Sequence, residues 1–417
     1  MRLLVLGGQL QGTEITYLAK EAGWTVSVVD KREGVLASRL CDHFICLDIL
    51  QASPDLFCGF DLVLPALEDL SVLKRVLELT QEAEVPFAFD WQAFVLSRSK
   101  IRSNIFLEDL GVRVPLPIEE CVLENQKTSA ELSGNSKLEQ CYIVKPNCSS
   151  GSKGVERYRD INAAYARICA DPSEGLFGQV FLEGPIYSIE VICNYQLVKP
   201  YMVTEVVVDD EYHSHRILAP APISIELIEK IEDLGMKIGS ALNMKGIFDI
   251  EMVYNEGNLS VLEIDARMPS QTPIAVYHAS GINLVEELAR VFLEIPSASS
   301  LTLPPFSKTG AEYSRHVVLQ HVLAQKKKVS SAHSSTEQQL TAEESVVHFI
   351  GEGELTRAPA LNRQNGFCGA DVALIGNDAM QSCLFATLVA IDESSNLAVC
   401  KMDRIVEELA LKVAADD

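Results

Sequence analysis

Along residues 1–95, short apolar runs alternate with stretches of helical periodicity. Residues 2–6 are apolar after Arg2 and run into Gly7-Gly8-Gln9-Leu10-Gln11-Gly12, and a helical pattern continues through Ala22. Residues 25–29, ending at Asp30, read as a second strand, and residues 44–47 and 62–65 as two more. Strands alternating with helices predict a parallel sheet covered by helices. Residues 96–110 read as one helix, with Ser97 or Ser99 as its cap and Gly111 as its stop. Pro86 and Asp90 mark a domain boundary just before it.

The pattern then changes character. Residues 124–140 are polar and poor in aromatic residues, as a surface loop is. A strand at 142–146 ends in Lys145-Pro146 and leads into the small-residue stretch 147–154, NCSSGSKG. A helix at 161–169 and a loop at 171–178 follow, then strands at 180–182 and 187–193 and extended segments at 199–210 and 215–219. Residues 225–244 have helical periodicity. Residues 247–254 and 259–264 are β-rich and flank the turn cluster Asn255-Glu256-Gly257-Asn258, which predicts a hairpin. Residues 283–293 read as a helix and 296–310, with prolines and serines, as a linker. Residues 311–417 carry apolar runs at 316–322, 346–350, 372–375 and 384–391, a loop at 325–339 and an amphipathic helix over 402–414, which predicts a small α+β domain.

Composition narrows the class. The chain has 417 residues, 47% of them hydrophobic, enough for two or three domains with a sizeable core. A formal net charge of −23 argues against nucleic acid and anionic membranes as partners, since both reward a basic face. Eleven cysteines without metal-type spacing read as free thiols of a reducing compartment. With no apolar run long enough for a signal core or a bilayer span, the chain is expected in the cytoplasm.

Candidate chemistry gathers in the hairpin. Side chains on a strand alternate faces, so Asp249 and Glu251 share one face and Glu263 and Asp265 share another. If the two faces coincide, up to four carboxylates converge. Two bare carboxylates about 4 Å apart repel by roughly 4 kcal/mol at an effective dielectric near 20. Such a cluster calls for a cation, and Mg²⁺ suits a few carboxylates plus phosphate oxygens. Arg267 follows at once, a clamp for phosphate or carboxylate. A solvated hairpin with charged outer faces is the plain alternative, and acid-x-acid-x-Arg after an apolar strand favours the metal. The loop at 147–154 can wrap phosphate oxygens with its backbone N–H groups, and Lys145 is a natural charge partner for it. An ordinary surface loop beside a snorkelling lysine is the alternative. The turn at 7–12 is not G-x-G-x-x-G, so packing a helix on a strand explains it as well as dinucleotide binding does.

The order of these elements resembles the ATP-grasp superfamily of carboxylate–amine ligases across residues 1 to about 295. The residues that carry it are GGQLQG at 7–12, SRSK at 97–100, VKPNCSSGSKG at 144–154, GIFDIE at 246–251 and LEIDARMPSQTP at 262–273. The last string, continuing through Tyr277 to SGINL at 280–284, is most similar to the pyrrolysine-biosynthetic ligases that join 3-methyl-D-ornithine to L-lysine. Asp265 stands where the superfamily usually has Asn.

The resemblance implies an ATP-grasp fold with a Rossmann-like domain at 1–95, an ATP-grasp domain at 96–300 whose lid covers about 115–185, and a C-terminal α+β domain at 301–417. It implies ATP and Mg²⁺ as cofactors. Lys100 and Lys145 resemble the lysines that hold the phosphates, and Ser149, Ser150, Gly151, Ser152 and Gly154 the loop that closes on the γ-phosphate. Val180, Phe181 and Leu182 resemble the hinge that meets adenine. The family's hinge glutamates are absent, which leaves Glu183 for ribose. Glu251, Glu263 and Asp265 resemble the magnesium ligands, and Arg267 the arginine that steadies an acyl phosphate. Ser270, Gln271 and Thr272, with Asp249 nearby, fall where the ornithine substrate is contacted. Gln11 and Glu68 lie at the carboxyl ends of parallel strands, where open α/β sheets bind ligands, and are expected to grip the α-amino acid end of L-lysine. For Glu68, a helix-start acid that complements the macrodipole is the alternative. Both substrates carry ammonium groups, in keeping with the acidic chain and with Glu68, Glu205 and Asp249. A ligase for other amino acids, of the dipeptide-ligase type, a non-catalytic nucleotide-binding regulator and a nicotinamide oxidoreductase built on the first domain are the rival readings.

Overall fold

The computed structural model describes residues 1–121, 140–149, 151–209, 212, 214–295, 314–329, 342–349, 362–378 and 383–415. Residues 124–139 of the loop expected at 124–140, Ser150, the linker at 296–310 and residues 330–339 of the loop expected at 325–339 lie outside the described residues.

β1 (Arg2–Leu6), β2 (Thr25–Asp30), β3 (His43–Cys46) and β4 (Leu62–Pro65) form a parallel sheet in the order β3-β2-β1-β4. Alternation along β1 explains how both faces are covered. Leu3 and Val5 pack with Leu10 and Leu18 of α1 (Leu10–Glu21), whereas Leu4 and Leu6 pack with Leu73, Val76 and Leu79 of α2 (Leu70–Glu82). Fully buried parallel strands read as continuous apolar runs for this reason. Gly7 has φ +105°, and a Cβ there would lie 2.4 Å from the Ala66 carbonyl oxygen. A Cβ on Gly12 would lie 1.9 Å from the carbonyl oxygen of Gly7. The turn therefore needs glycine to seat α1 on the sheet. Asp30 accepts from the Gly8 N–H at 2.9 Å and pairs with Arg32 at 3.1 Å, so it braces this turn.

The helix expected over 96–110 is two helices, α3 (Trp91–Ser97) and α4 (Lys100–Asp109). Ser99 breaks the run. It is extended and its hydroxyl accepts from the Arg102 N–H, a serine N-cap that starts a new helix. Asp90 caps α3 through the N–H groups of Gln92 and Ala93.

A small antiparallel sheet in the order β6-β5-β7 comprises β5 (Tyr142–Pro146), β6 (Glu156–Tyr158) and β7 (Leu176–Val180). α5 (Ile161–Ala170) covers it through Ala164 and Ile168, on a core with Ile118, Tyr142 and Val144. The central sheet has ten described strands. It runs β12-β11-β8-β9-β10-β13-β17-β16-β15, with β14 paired to β13. Its first half is β8 (Ile186–Asn194), β9 (Val198–Val208), β10 (Ser214–Ala219), β11 (Lys245–Asn255) and β12 (Asn258–Asp265). α6 (Ile225–Leu242) closes one face, with Ile231 and Ile238 buried against Val191, Phe248 and Ile250. After the hairpin come α7 (Thr272–Ser280) and α8 (Leu284–Phe292).

The described strands from 316 on join the central sheet and do not form a separate one. β13 (His316–Val329) pairs with β10, Ala219 opposite Val317 and Arg216 opposite Gln320. β14 (Ala342–Phe349), β15 (Asn362–Gln364), β16 (Val372–Asp378) and β17 (Cys383–Asp392) continue from it, backed by α9 (Ser395–Ala415). β10 would otherwise be an edge with unpaired backbone groups, and β13 covers that edge. Residues 325–329, expected as the start of a loop, complete β13.

Candidate active site

Between the small sheet and the central sheet lies a cleft with about 1530 Å³ of empty space up to its open mouth. The small sheet and its loop line it with Lys145, Ser149, Gly151, Ser152, Val180, Phe181 and Leu182. Opposite stand Asp249, Glu251, Glu263 and Asp265 of the hairpin, then Arg267, Ser270, Gln271 and Thr272, with Lys100 at the seam.

The two lysines come together through the loop. Asn147 accepts from the Ile101 N–H at 2.9 Å and from the Ser99 hydroxyl at 3.1 Å, which ties the start of α4 to the end of β5. The Lys100 ammonium lies 3.0 Å from Glu263 and donates to the Ser149 carbonyl. Lys145 is buried, 5.5 Å from the centre of the Phe177 ring. Burial pushes the Lys145 ammonium down to about 8, against the pull of Glu263. Burial acts on Lys100 too, but Glu263, with Asp265 and Glu251, outweighs it and holds the ammonium above its ordinary value.

The hairpin register sets the acidic wall. Asp249 stands opposite Asp265 and Glu251 opposite Glu263, so the two acidic faces coincide. Burial, followed by the charge of Glu263, pushes Glu251 up to about 8. Burial pushes Asp265 up to about 7, although Arg267 lies 2.9 Å from it. Asp249 is raised well above the usual range by burial, then by Asp265 and Glu251. For Glu263 burial is outweighed by Lys100 and Lys145, which hold it low. Among the described residues no three His, Cys or carboxylate side chains form a preformed metal cage. Four carboxylates on one wall, beside two lysines, fit instead a Mg²⁺ shared with phosphate oxygens, the usual manner of holding that ion.

Four sequence-expected residues lie off the cleft lining. The Gln11 amide donates to the Met268 carbonyl, beneath the segment that carries Ser270 and Gln271. Glu68 lines a small adjoining pocket and pairs with Arg267 at 2.8 Å. Glu183 is exposed beside Leu182. Gly154 has φ +75° and packs on Pro146. The N–H groups of Val180 and Phe181 are taken by the carbonyls of Leu116 and Cys141, which leaves other backbone groups for any adenine contact.

Other residues of the site escaped the sequence reading. Gln271 has φ +69°, a conformation that costs a non-glycine residue roughly 1–3 kcal/mol. Glu14 holds it there, accepting from the Gln271 N–H at 2.9 Å and the Ser270 hydroxyl at 2.5 Å, and Ser214 donates to the Gln271 side chain at 2.9 Å. Glu14 in turn lies 3.3 Å from His321 of β13. The signal was present: Glu14 sits on the same stripe of α1 as Leu10 and Leu18 and is buried. Tyr212 also lines the cleft, with its carbonyl accepting from the Ser152 hydroxyl at 2.7 Å.

A family model described as an ATP-grasp domain matches residues 97–271. Among solved structures, biotin carboxylase from Campylobacter jejuni in a βγ-ATP complex is similar, with TM-score 0.66 and 14% identity over 97% of this chain and 91% of that one. Carboxyaminoimidazole ribonucleotide synthase from Aspergillus clavatus, complexed with ATP, has TM-score 0.64 and 16% identity over 98% of each chain. These two likenesses carry the fold. Fold, site and family model, with the relative described next, define an ATP-dependent carbon–nitrogen ligase of the ATP-grasp class. The 3-methyl-D-ornithine–L-lysine ligase of Methanosarcina mazei is 33% identical over 296 residues, 70% of this chain and 71% of that protein. The chain belongs to the family of 3-methyl-D-ornithine–L-lysine ligases.

Proposed function

We propose that the chain joins the carboxylate of (3R)-3-methyl-D-ornithine to the ε-amine of L-lysine in pyrrolysine biosynthesis, acting in the cytoplasm. The observation that carries this is the convergence of Lys100, Lys145, the acidic wall and Arg267 on one cleft, in a chain of this family. Among the described residues no helix is long and apolar enough to cross a membrane.

In this reading Lys100 and Lys145 exchange Glu263 for the polyphosphate of ATP, whose adenine lies along Val180, Phe181 and Leu182 with its ribose toward Glu183. Ser149–Gly154 folds over the γ-phosphate. Glu251, Glu263 and Asp265 would hold Mg²⁺, which would supply an offset to the phosphate charge. Ser270, Gln271, Thr272 and Asp249 hold the ornithine so that its carboxylate attacks the γ-phosphorus. Arg267 stabilises the charge that builds on the acyl phosphate. The lysine ε-amine then attacks the carbonyl and phosphate leaves. No enzyme nucleophile is required, and positioning and electrostatics supply the rate. The test is ADP release, which is expected only when both amino acids are present. ATP binding without turnover supports a regulator instead.

Two further outcomes are expected. The loop at 149–154 should resist limited proteolysis when an ATP analogue is present, because its glycines and serines suit a lid on phosphate. Equal cleavage in both states would make it a static surface loop. Glu68→Ala should raise KM for L-lysine about tenfold, a loss of roughly 1.4 kcal/mol of uniform binding, with KM for ATP little changed. A fall in kcat with both KM values unchanged would instead assign Glu68 to positioning Arg267, its partner at 2.8 Å.

A further inference from the structure

The turn that carries Ser270, Gln271 and Thr272 is strained. Gln271 has φ +69° and ψ −59°, and the Thr272 N–H reaches back to the Ser270 carbonyl at 2.8 Å. This is the γ-turn of positive φ, rare because a side chain crowds the backbone there. Such a conformation persists only where the surroundings over-determine it. Gln271 stands at the start of α7, and its own side chain makes no capping bond there. The brace comes from a distant part of the chain. Glu14 of α1 accepts both the Gln271 N–H and the Ser270 hydroxyl on one carboxylate oxygen, Oε2.

The other oxygen of Glu14 faces the C-terminal strands. Glu14 Oε1 lies 3.3 Å from His321 Nε2, both residues are buried, and neither atom has another hydrogen-bond partner among the described residues. His321 is fixed in its turn. On β13 it stands opposite Thr387 of β17, whose hydroxyl is 2.8 Å from Nδ1, and its ring stacks on Phe385. A hydroxyl that donates to Nδ1 leaves the ring N–H on Nε2, aimed at Glu14. A buried carboxylate oxygen and a buried ring nitrogen are each costly without a partner, and facing each other they hold Glu14 where Oε2 meets the turn. Ser270, Gln271 and Thr272 line the cleft, whereas Glu14, His321 and Thr387 stand behind them. We propose that Glu14, braced by His321 and Thr387, is a positioning residue that keeps Ser270, Gln271 and Thr272 in the γ-turn, so that β13 and β17 set the grip on the amino acid whose carboxylate is activated. This rests on the function proposed above and gives the strands joined to β10 a part in substrate binding.

Two readouts on the full chain test it. The first is hydrogen–deuterium exchange in peptides spanning residues 268–274. Glu14→Ala should speed exchange of the Gln271 N–H by more than about 100-fold, because its acceptor is lost, while peptides from β1 and β11 stay as protected as in the wild type. The second is kinetic, with D-ornithine, ATP and L-lysine. His321→Phe keeps an aromatic ring and removes both nitrogens. It should raise KM for D-ornithine about tenfold with KM for ATP within about twofold, and His321→Gln, which can still donate to Glu14, should bring the ornithine KM back to within about threefold of wild type. Added to Glu14→Ala, His321→Phe should change the ornithine KM no further, because His321 acts through Glu14. Where His321→Phe does not fold, Thr387→Val is the milder change and should raise the ornithine KM about threefold. A merely structural role would reduce the amount of active enzyme, and so kcat, with both KM values unmoved. An unchanged ornithine KM in the folded variants would overturn the inference, as would faster exchange spread evenly over the chain in Glu14→Ala. If the wild type releases no ADP with any diamino acid, the proposed function fails and exchange alone decides: a Gln271 N–H as protected in Glu14→Ala as in the wild type overturns the inference.

Discussion

Glu263→Gln is expected to lower ADP formation by about a thousandfold or more, corresponding to roughly 4 kcal/mol of transition-state stabilisation, with the circular dichroism spectrum unchanged. Glu263 faces the cleft from β12 and is only partly buried, so the amide fits without disturbing the core. What changes is charge. Lys100, 3.0 Å away, and Lys145 both lean on this carboxylate, and a neutral amide leaves two ammonium groups facing each other. A proposed magnesium ligand is lost at the same time, and with it the offset of phosphate charge during transfer. Steady-state ADP release with saturating ATP and both amino acids measures the effect. Near-normal turnover would remove the hairpin from the active site.

Arg267→Lys is expected to lower kcat about a hundredfold with KM for ATP within about threefold, the pattern of an interaction made mainly in the transition state. Arg267 is 9% exposed and uses different nitrogens for Glu68, at 2.8 Å, and Asp265, at 2.9 Å. A lysine keeps the charge but not the planar fork, so it cannot hold both carboxylates and also meet an acyl phosphate. The conservative substitution also avoids leaving Asp265 and Glu68 as uncompensated charges, which would confuse lost stability with lost chemistry. Unchanged kcat would mean that any cation suffices there, or that Arg267 serves only the fold.

The parts legible in the sequence were those written locally. The hairpin is a period-2 pattern around a turn cluster and was legible, whereas the register that sets Asp249 against Asp265 depends on a bulge between Glu251 and Met252 that the pattern does not announce. The first parallel strand is likewise announced by its unbroken apolar run. Contacts between distant segments were less visible. Glu14 meets Ser270 and Gln271 across 256 and 257 residues, and nothing near Glu14 in sequence names that partner. Ser99 was legible as a helix cap, whereas the separate helix α3 that ends just before it was not, and Asn147 holds the new N-terminus. The pairing of β13 with β10 was missed because an apolar strand is equally at home in its own sheet or at the edge of another.

The central claim is amide formation through an acyl phosphate between two particular amino acids. Mass spectrometry of the reaction of the full chain with ATP, L-lysine and 3-methyl-D-ornithine carrying heavy oxygen in its carboxylate tests it most directly. The account predicts a single product whose mass is the sum of the two amino acids less one water, with one heavy oxygen recovered in the released phosphate. A product without label in phosphate, or ADP release with no amide product, would contradict it.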